Sequence, residues 1–237
     1  MKFISFIHDK KAKFGIINNQ IITDLTGKIL GANSLKDLIV NNGISEAKKY
    51  ATDNPGNINL SEIEYLPLIP NPGKIICVGL NYSEHVKETN RTVEENPVIF
   101  HRFPESQTAH KQEIIRPIVS QSLDYEGEMA VIMGEGGKHI KPEDALKHII
   151  GFSCYNESTI REWQKHTRQF GMGKNFEKTG SFGPHLVLAE DIKDYKQLTI
   201  ETRLNGEVMQ NAKLSQLIFD IPILISYVSK AMAWRAG

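Results

Sequence analysis
The sequence predicts an α+β protein that is mostly β, a mixed sheet architecture with a small N-terminal α/β appendage. Three observations lead there. Short apolar runs with strand spacing dominate the chain after residue 74, and no regular alternation of strand and helix separates them, which argues against a doubly wound sheet. The stretch Leu66-Pro67-Leu68-Ile69-Pro70-Asn71-Pro72-Gly73 is too rich in proline to continue a helix or a central strand. It divides a unit of residues 1–70 from a larger one of residues 74–237.

In the first unit, Lys2–Ile7, Lys13–Ile17 and Gln20–Leu25 read as short strands, and about Leu35 to Ala51 reads as a helical stretch. In the second, Ile75–Val78 and Pro97–Phe100 read as buried strands. Asp124–Met133 reads as a strand with an acidic face, and Ile149–Tyr155 as an apolar strand entering a helix near Ser158–His166. Asn205-Gly206, between Leu198–Leu204 and Glu207–Gln210, carries the signal of a two-residue hairpin. Leu214–Trp234 reads as a largely buried helix entered or broken around Pro222.

Composition removes several classes of function. The 237 residues are 40% hydrophobic and 24% charged, with 28 Lys and Arg balancing 28 Asp and Glu. That balance lacks the basic footprint of a nucleic-acid binder. No apolar run is long enough to span a membrane, and MKFISFIHDKKAKFG is interrupted by charge too early for a secretory signal, so a cytoplasmic address is expected. Cys77 and Cys154 sit in apolar strand-like runs and are expected to be buried, unpaired thiols.

The most informative segment is Asp124-Tyr125-Glu126-Gly127-Glu128. Alternation is strand spacing, so Glu126 and Glu128, with Asp124, are expected on one face. Neighbouring carboxylates are costly to bury unless a cation, or a cluster of Lys and Arg, lies between them. A hard divalent metal is the simplest such cation, and a solvated edge strand is the bland alternative. A second cluster, Asn81-Tyr82-Ser83-Glu84-His85-Val86-Lys87-Glu88, puts His85 and Glu88 at i, i+3 on a helical turn, where the Glu can orient the imidazole. In Asn156–Gln164, Glu157, Arg161 and Gln164 fall at i, i+4, i+7 of one helical face. Lys174 follows flexible glycines in Gly171-Met172-Gly173-Lys174, without the spacing of a phosphate-binding loop.

Taken in order, NYSEHVKE, PVIFHRFP, DYEGEMAVIMG, GFSCYNESTIREWQ, GKNFEKTGSFGP and LNGEVMQ resemble the fumarylacetoacetate hydrolase family from Lys74 to Gly237. The resemblance implies a mixed β-sandwich roll, a homodimer, and a divalent metal: Mg²⁺, or Mn²⁺ or Ca²⁺. It implies Glu126, Glu128 and Glu157 as metal ligands, His85 and Glu88 as a water-activating dyad, and Lys174 as a catalytic, oxyanion-stabilising group. Tyr82, Arg102, Arg161 and Gln164 match substrate-binding positions.

Family members hydrolyse, decarboxylate, hydrate or isomerise short 2-oxo acids. The expected activity is metal-dependent hydrolysis of a C–C bond in a 2,4-dioxo acid. The alternatives are another reaction of the family, or an impaired relative acting only as a dimer partner. Glu157 stands where the family usually has Asp, and the extra methylene moves the carboxylate by roughly 1.5 Å. Relatives continue past the long helix into a Gly-Asp-led strand and a Gly-Thr-Pro-Gly turn, whereas this sequence ends at Ala236-Gly237. The expectation is a sheet with one strand fewer and an open edge.

Overall fold
A computed structural model of the chain describes residues 1–82 and 95–237. The first residues form a meander of β1 (Lys2–His8), β2 (Lys11–Asn18) and β3 (Ile21–Asp24), antiparallel from Lys2↔Ile17 to His8↔Lys11 and from Gly15↔Asp24 to Asn18↔Ile21. The expected single helix over 35–51 is two helices, α1 (Leu35–Val40) and α2 (Ile44–Asp53). Asn42 adopts φ 54° between them, a left-handed backbone that asparagine tolerates and a continuous helix cannot contain. Ser34 caps α1 by accepting from the Asp37 N–H.

Short strands β4 (Ile58–Asn59) and β5 (Glu64–Tyr65) follow, then β6 (Ile75–Gly79), β7 (Val98–Arg102), β8 (Gln107–Ala109), β9 (Leu123–Asp124) and β10 (Gly127–Met133). The long β11 (Ile149–Glu157) leads into β12 (Thr159–Ile160) and two single-turn helices, α3 (Arg161–Gln164) and α4 (Gly171–Lys174). The chain continues through β13 (Gly180–Phe182), β14 (Leu186–Leu188), the hairpin β15 (Thr199–Leu204) and β16 (Glu207–Lys213), and α5 (Ile221–Ala231). Asn205 and Gly206 both have positive φ, as that hairpin turn demands.

Two long strands organise the main sheet. β1 pairs along one edge with β2 and shares the other between β14 and β5. β11 pairs along one edge with β10 and shares the other between β14, at Gly151–Phe152, and β13, at Tyr155–Glu157. Because short strands hand over from one spine to the other, the sheet turns instead of lying flat. The architecture is mostly β and mixed, as the pattern of short strands predicts. Residues 66–73 contain no helix or strand, yet sheet and core run across them. Phe3, Phe14, Leu35 and Leu38 lie in one buried cluster with Ile132, Tyr155, Phe182 and Leu186.

Two elements differ from expectation for a shared reason. The acidic strand expected over 124–133 is broken at Tyr125-Glu126, because Asp124 pairs with Thr159 whereas Gly127 onward pairs with β11. The helix expected near 158–166 begins only at Arg161, since Thr159 and Ile160 are held as β12 by β9. Cys77 and Cys154 are both free, but Cys77 is only partly buried and Cys154 is exposed. Among the described residues no helix is long and apolar enough to cross a membrane.

Helix α5 starts where Pro222 suggests, with Asp220 accepting from the Ile221 N–H at 2.8 Å. Burial alone would raise the Asp220 carboxyl, but hydrogen bonds from Lys196, Tyr195 and the Ile221 N–H outweigh it and hold it below 3.8. Its contribution is therefore complete above that value and is lost as pH falls through the lowered folded value. Asp220→Asn keeps a capping oxygen but loses the charge that faces Lys196 and the helix N-terminus; it should cost about 1 kcal/mol at pH 7, and thermal melts should show the gap to wild type closing as pH falls below 3.8. For the shared core, Phe3→Ala should lower stability by about 3–5 kcal/mol in urea titrations. A small effect there would mean that Phe3 does not tie the N-terminal strands to the rest.

Candidate active site
Strand β11 delivers Asn156 and Glu157 to the end of the sheet, and the break before β10 brings Glu126 beside them. The Glu157 N–H donates to the Glu126 carbonyl at 2.7 Å, and the Glu126 N–H donates to Asn156 Oδ1 at 3.1 Å. Lys174, at the end of α4 and only 1% exposed, points into this junction. Its Nζ donates to Glu126 Oε2 at 2.6 Å and to the Glu157 carbonyl at 3.2 Å, and lies 3.3 Å from Glu157 Oε1. Two hydrogen bonds thus anchor the ammonium, with the Glu157 carboxylate alongside as an ion-pair partner.

Arg161 braces the other side. Its Nε donates to Asp124 Oδ2 at 2.7 Å, and its NH1 to Glu126 Oε1 at 2.6 Å and Gln164 Oε1 at 3.0 Å. Burial disfavours the guanidinium charge, but Glu126 and Asp124 more than restore it. Asp124 therefore serves Arg161. Arg102 has no exposed side-chain surface. It donates to Ser106 Oγ at 3.2 Å, the Ser158 carbonyl at 3.0 Å and Thr179 Oγ1 at 2.7 Å, with NH1 3.6 Å from Glu157 Oε1. In this structure its donors serve the protein around Glu157.

Glu126, Glu157, Arg102, Arg161, Gln164 and Lys174 thus form one network, reached from a strand end and two short helices and not from the single helical face expected of Glu157, Arg161 and Gln164. Glu128 stands next to it without a cation partner among the described residues. Burial first, and then the charges of Glu157 and Glu126, push its carboxyl up to about 8. The Glu157 carboxyl is also raised, mainly by burial, and its Oε1 makes no hydrogen bond. Glu128, Glu157 and Tyr82 line an apolar cavity of about 260 Å³ together with Ile75, Met129 and Leu217. Burial, with the Glu128 charge, keeps the Tyr82 phenol protonated well past its ordinary range. His85 and Glu88 lie outside the described residues.

Among the described residues no three His, Cys, Asp or Glu side chains converge closely enough to hold a metal, and the Lys174 ammonium lies 2.6 Å from Glu126 and 3.3 Å from Glu157. The donor chemistry nevertheless suits a hard cation: all oxygens, with Glu157 Oε1 buried without a hydrogen bond and the Glu128 carboxyl pushed up by burial and by its neighbouring carboxylates. Sequence reasoning did not single out Cys77, whose thiol is raised by burial and by Glu157 beside it, nor Gln210. Only the LNGEVMQ motif pointed toward the latter.

Fold and site together place a cation-braced network of carboxylates beside an apolar cavity that Glu128 and Glu157 line. The fumarylacetoacetate hydrolase C-terminal family model matches residues 74–237, and the chain belongs to that family. It is 39% identical over 201 residues to the oxaloacetate tautomerase YisK of Bacillus subtilis, a match covering 82% of this chain and 66% of that protein. It is 37% identical over 179 residues to the human mitochondrial oxaloacetate tautomerase FAHD2A, covering 75% and 57%. The matched span is thus less than two thirds of these relatives. A fumarylacetoacetate hydrolase from Exiguobacterium antarcticum superposes with TM-score 0.82 at 31% identity, covering all of this chain and 84% of that one. A Sphingobium maleylpyruvate hydrolase, solved with manganese and pyruvate, shares the fold at TM-score 0.84 and 22% identity, covering 100% and 86%.

Arg102→Leu tests whether this buried guanidinium serves the protein. Stranding its partners should cost about 3–5 kcal/mol of stability in denaturant titrations. A raised KM with unchanged stability would instead make Arg102 a substrate contact.

Proposed function
We propose that this chain generates and stabilises the enolate of a short 2-oxo acid, and that its reaction is keto–enol tautomerisation of a 2-oxo dicarboxylic acid of the oxaloacetate type. The observation that carries this reading is the buried Lys174 ammonium, held by Glu126 and by Glu157, which lines the cavity. The kinship with oxaloacetate tautomerases at 37–39% identity supports it.

Tautomerisation moves a proton between C3 and the 2-oxygen, and the negative charge that collects on that oxygen needs a fixed positive charge in a site shielded from water. Lys174 meets this need: its Nζ supplies the positive charge, and the hydrogen bond to Glu126 with the Glu157 carboxylate alongside keeps it aimed. Arg161, braced by Asp124 and Glu126 and one third exposed, pairs with the substrate carboxylate, with Gln164 beside it. Tyr82 offers an O–H donor to the cavity. Glu126, Glu128 and Glu157 are the residues that would hold a divalent ion, Mg²⁺ or Mn²⁺, which when bound supplies Lewis-acid polarisation of the 2-oxo group. The manganese of the maleylpyruvate hydrolase supports the use of a divalent ion. A homodimer in a cytoplasmic setting, acting on neither nucleic acid nor membrane, completes the reading and is tested by light scattering and cell fractionation.

The second reading is hydrolysis of a C–C bond in a 2,4-dioxo acid, favoured by the likeness to the Exiguobacterium fumarylacetoacetate hydrolase. It shares the enolate but needs water delivered by His85 with Glu88. The two separate in one experiment: loss of enol absorbance and C3 deuterium exchange with oxaloacetate, against cleavage of an acylpyruvate, each with Mg²⁺ or Mn²⁺. Under the first reading ketonisation is accelerated, and Lys174→Ala lowers kcat by about 10²–10⁴-fold while His85→Ala leaves C3 exchange standing. Cleavage without faster ketonisation would replace it by the second. The metal assignment is checked separately: Glu126→Gln with Glu128→Gln should abolish Mn²⁺ binding in calorimetry, and retained affinity would refute those ligands.

A further inference from the structure
The hairpin β15–β16 has no part in the chemistry above, yet it reaches the peptide between Glu126 and Glu128. Gly127 is in register with Asn156 of β11, but both of its backbone groups belong to Gln210. The Gly127 N–H donates to Gln210 Oε1 at 3.0 Å, and Gln210 Nε2 donates to the Gly127 carbonyl at 2.7 Å. One side-chain amide thus does for Gly127 what a residue of a neighbouring strand would do. The amide is itself steadied, because Thr202, its register partner across the hairpin, donates its hydroxyl to Gln210 Oε1 at 3.0 Å.

The approach leaves no slack. A Cβ on residue 127 would lie 1.9 Å from Thr202 Oγ1 and 3.1 Å from Gln210 Oε1, so glycine is the residue that lets the hairpin close on this backbone. Elsewhere the hairpin is largely in water, with Glu201, Arg203, Leu204, Glu207, Val208 and Met209 exposed. Its inward-facing polar contact is the clasp on Gly127. Glu126 and Glu128 leave the chain on either side of that peptide, so its orientation sets the directions of both side chains.

We infer that Gln210 is a positioning residue of the candidate site: its amide, braced by Thr202, fixes the Gly127 peptide and with it the mutual placement of the Glu126 and Glu128 carboxylates. This rests on the reading of Glu126 and Glu128 as cation-binding groups and adds to it a supporting residue from a distant hairpin. Supporting hydrogen bonds of this kind change cation affinity by about 10–100-fold when lost.

The test uses Mn²⁺ alone as the probe, with calorimetric affinity and the electron paramagnetic resonance line shape of bound Mn²⁺ as readouts, alongside urea unfolding of the metal-free protein. Gln210→Glu keeps the size and the acceptor but loses the Nε2 donor, Gln210→Ala loses both, and Arg203→Ala alters an exposed residue of the same hairpin. Affinity should fall about 10–100-fold in both Gln210 variants, with an altered line shape, while Arg203→Ala matches wild type. Should Gln210→Ala fail to fold, Thr202→Val carries the same test, with a fall of about two- to tenfold, the worth of one hydrogen bond. Affinity within twofold of wild type in the Gln210 variants, while Glu128→Gln abolishes binding, would overturn the role of Gln210 and leave the site reading intact. Unchanged affinity in Glu128→Gln would overturn the site reading and this proposal with it.

Discussion
The burial of carboxylate charge around one ammonium is the constraint on which the site depends. Glu157 is 6% exposed and Lys174 1% exposed, and an ion removed from water costs several kcal/mol unless it is paired and hydrogen-bonded. The fold meets that cost by converging three cations, Lys174, Arg161 and Arg102, on Asp124, Glu126 and Glu157. Each cation comes from a different piece of chain, so the site forms only when β7, α3, α4 and the end of β11 are in place together. A local perturbation at any one of them leaves a buried charge without its partner.

Glu128 marks where this compensation stops. It is buried beside two other carboxylates: burial first, and then the charges of Glu157 and Glu126, push its carboxyl up to about 8, and the Lys174 charge offsets only part of this. A buried group with a strongly perturbed pKa next to a cavity is a signature of function more than of stability. The network therefore divides into a braced part, built on Lys174 and Arg161, and an unbraced part facing the cavity. The proposed enolate chemistry draws on both: fixed positive charge for the oxygen and an oxygen-rich wall for a cation.

Much of this was legible in the sequence. The strand runs, the proline-rich stretch, the Asn205-Gly206 hairpin and the Pro222 entry to the last helix follow from local rules of backbone geometry, and all appear in the structure. The alternating carboxylates were visible too, as was their need for a counter-charge. What misled was continuity. Asp124–Met133 reads as one strand and Ser158–His166 as one helix, but β9 and β12 pair with each other and break both. Nothing local in either segment announces that pairing.

The sequence by itself determined which residue types the site contains, where the chain turns, and which family it belongs to, because these depend on spacing, on φ preferences and on the order of motifs. Only the tertiary structure decided which charges meet. It set Lys174 between Glu126 and Glu157, gave Asp124 to Arg161, surrounded Arg102 with protein acceptors, and brought Gln210 from a hairpin 83 residues away onto Gly127. The physical reason is that an ionic or hydrogen-bonding side chain has no intrinsic partner. Its choice is made by which backbone the sheet places within about 3 Å, the distance at which hydrogen bonds form.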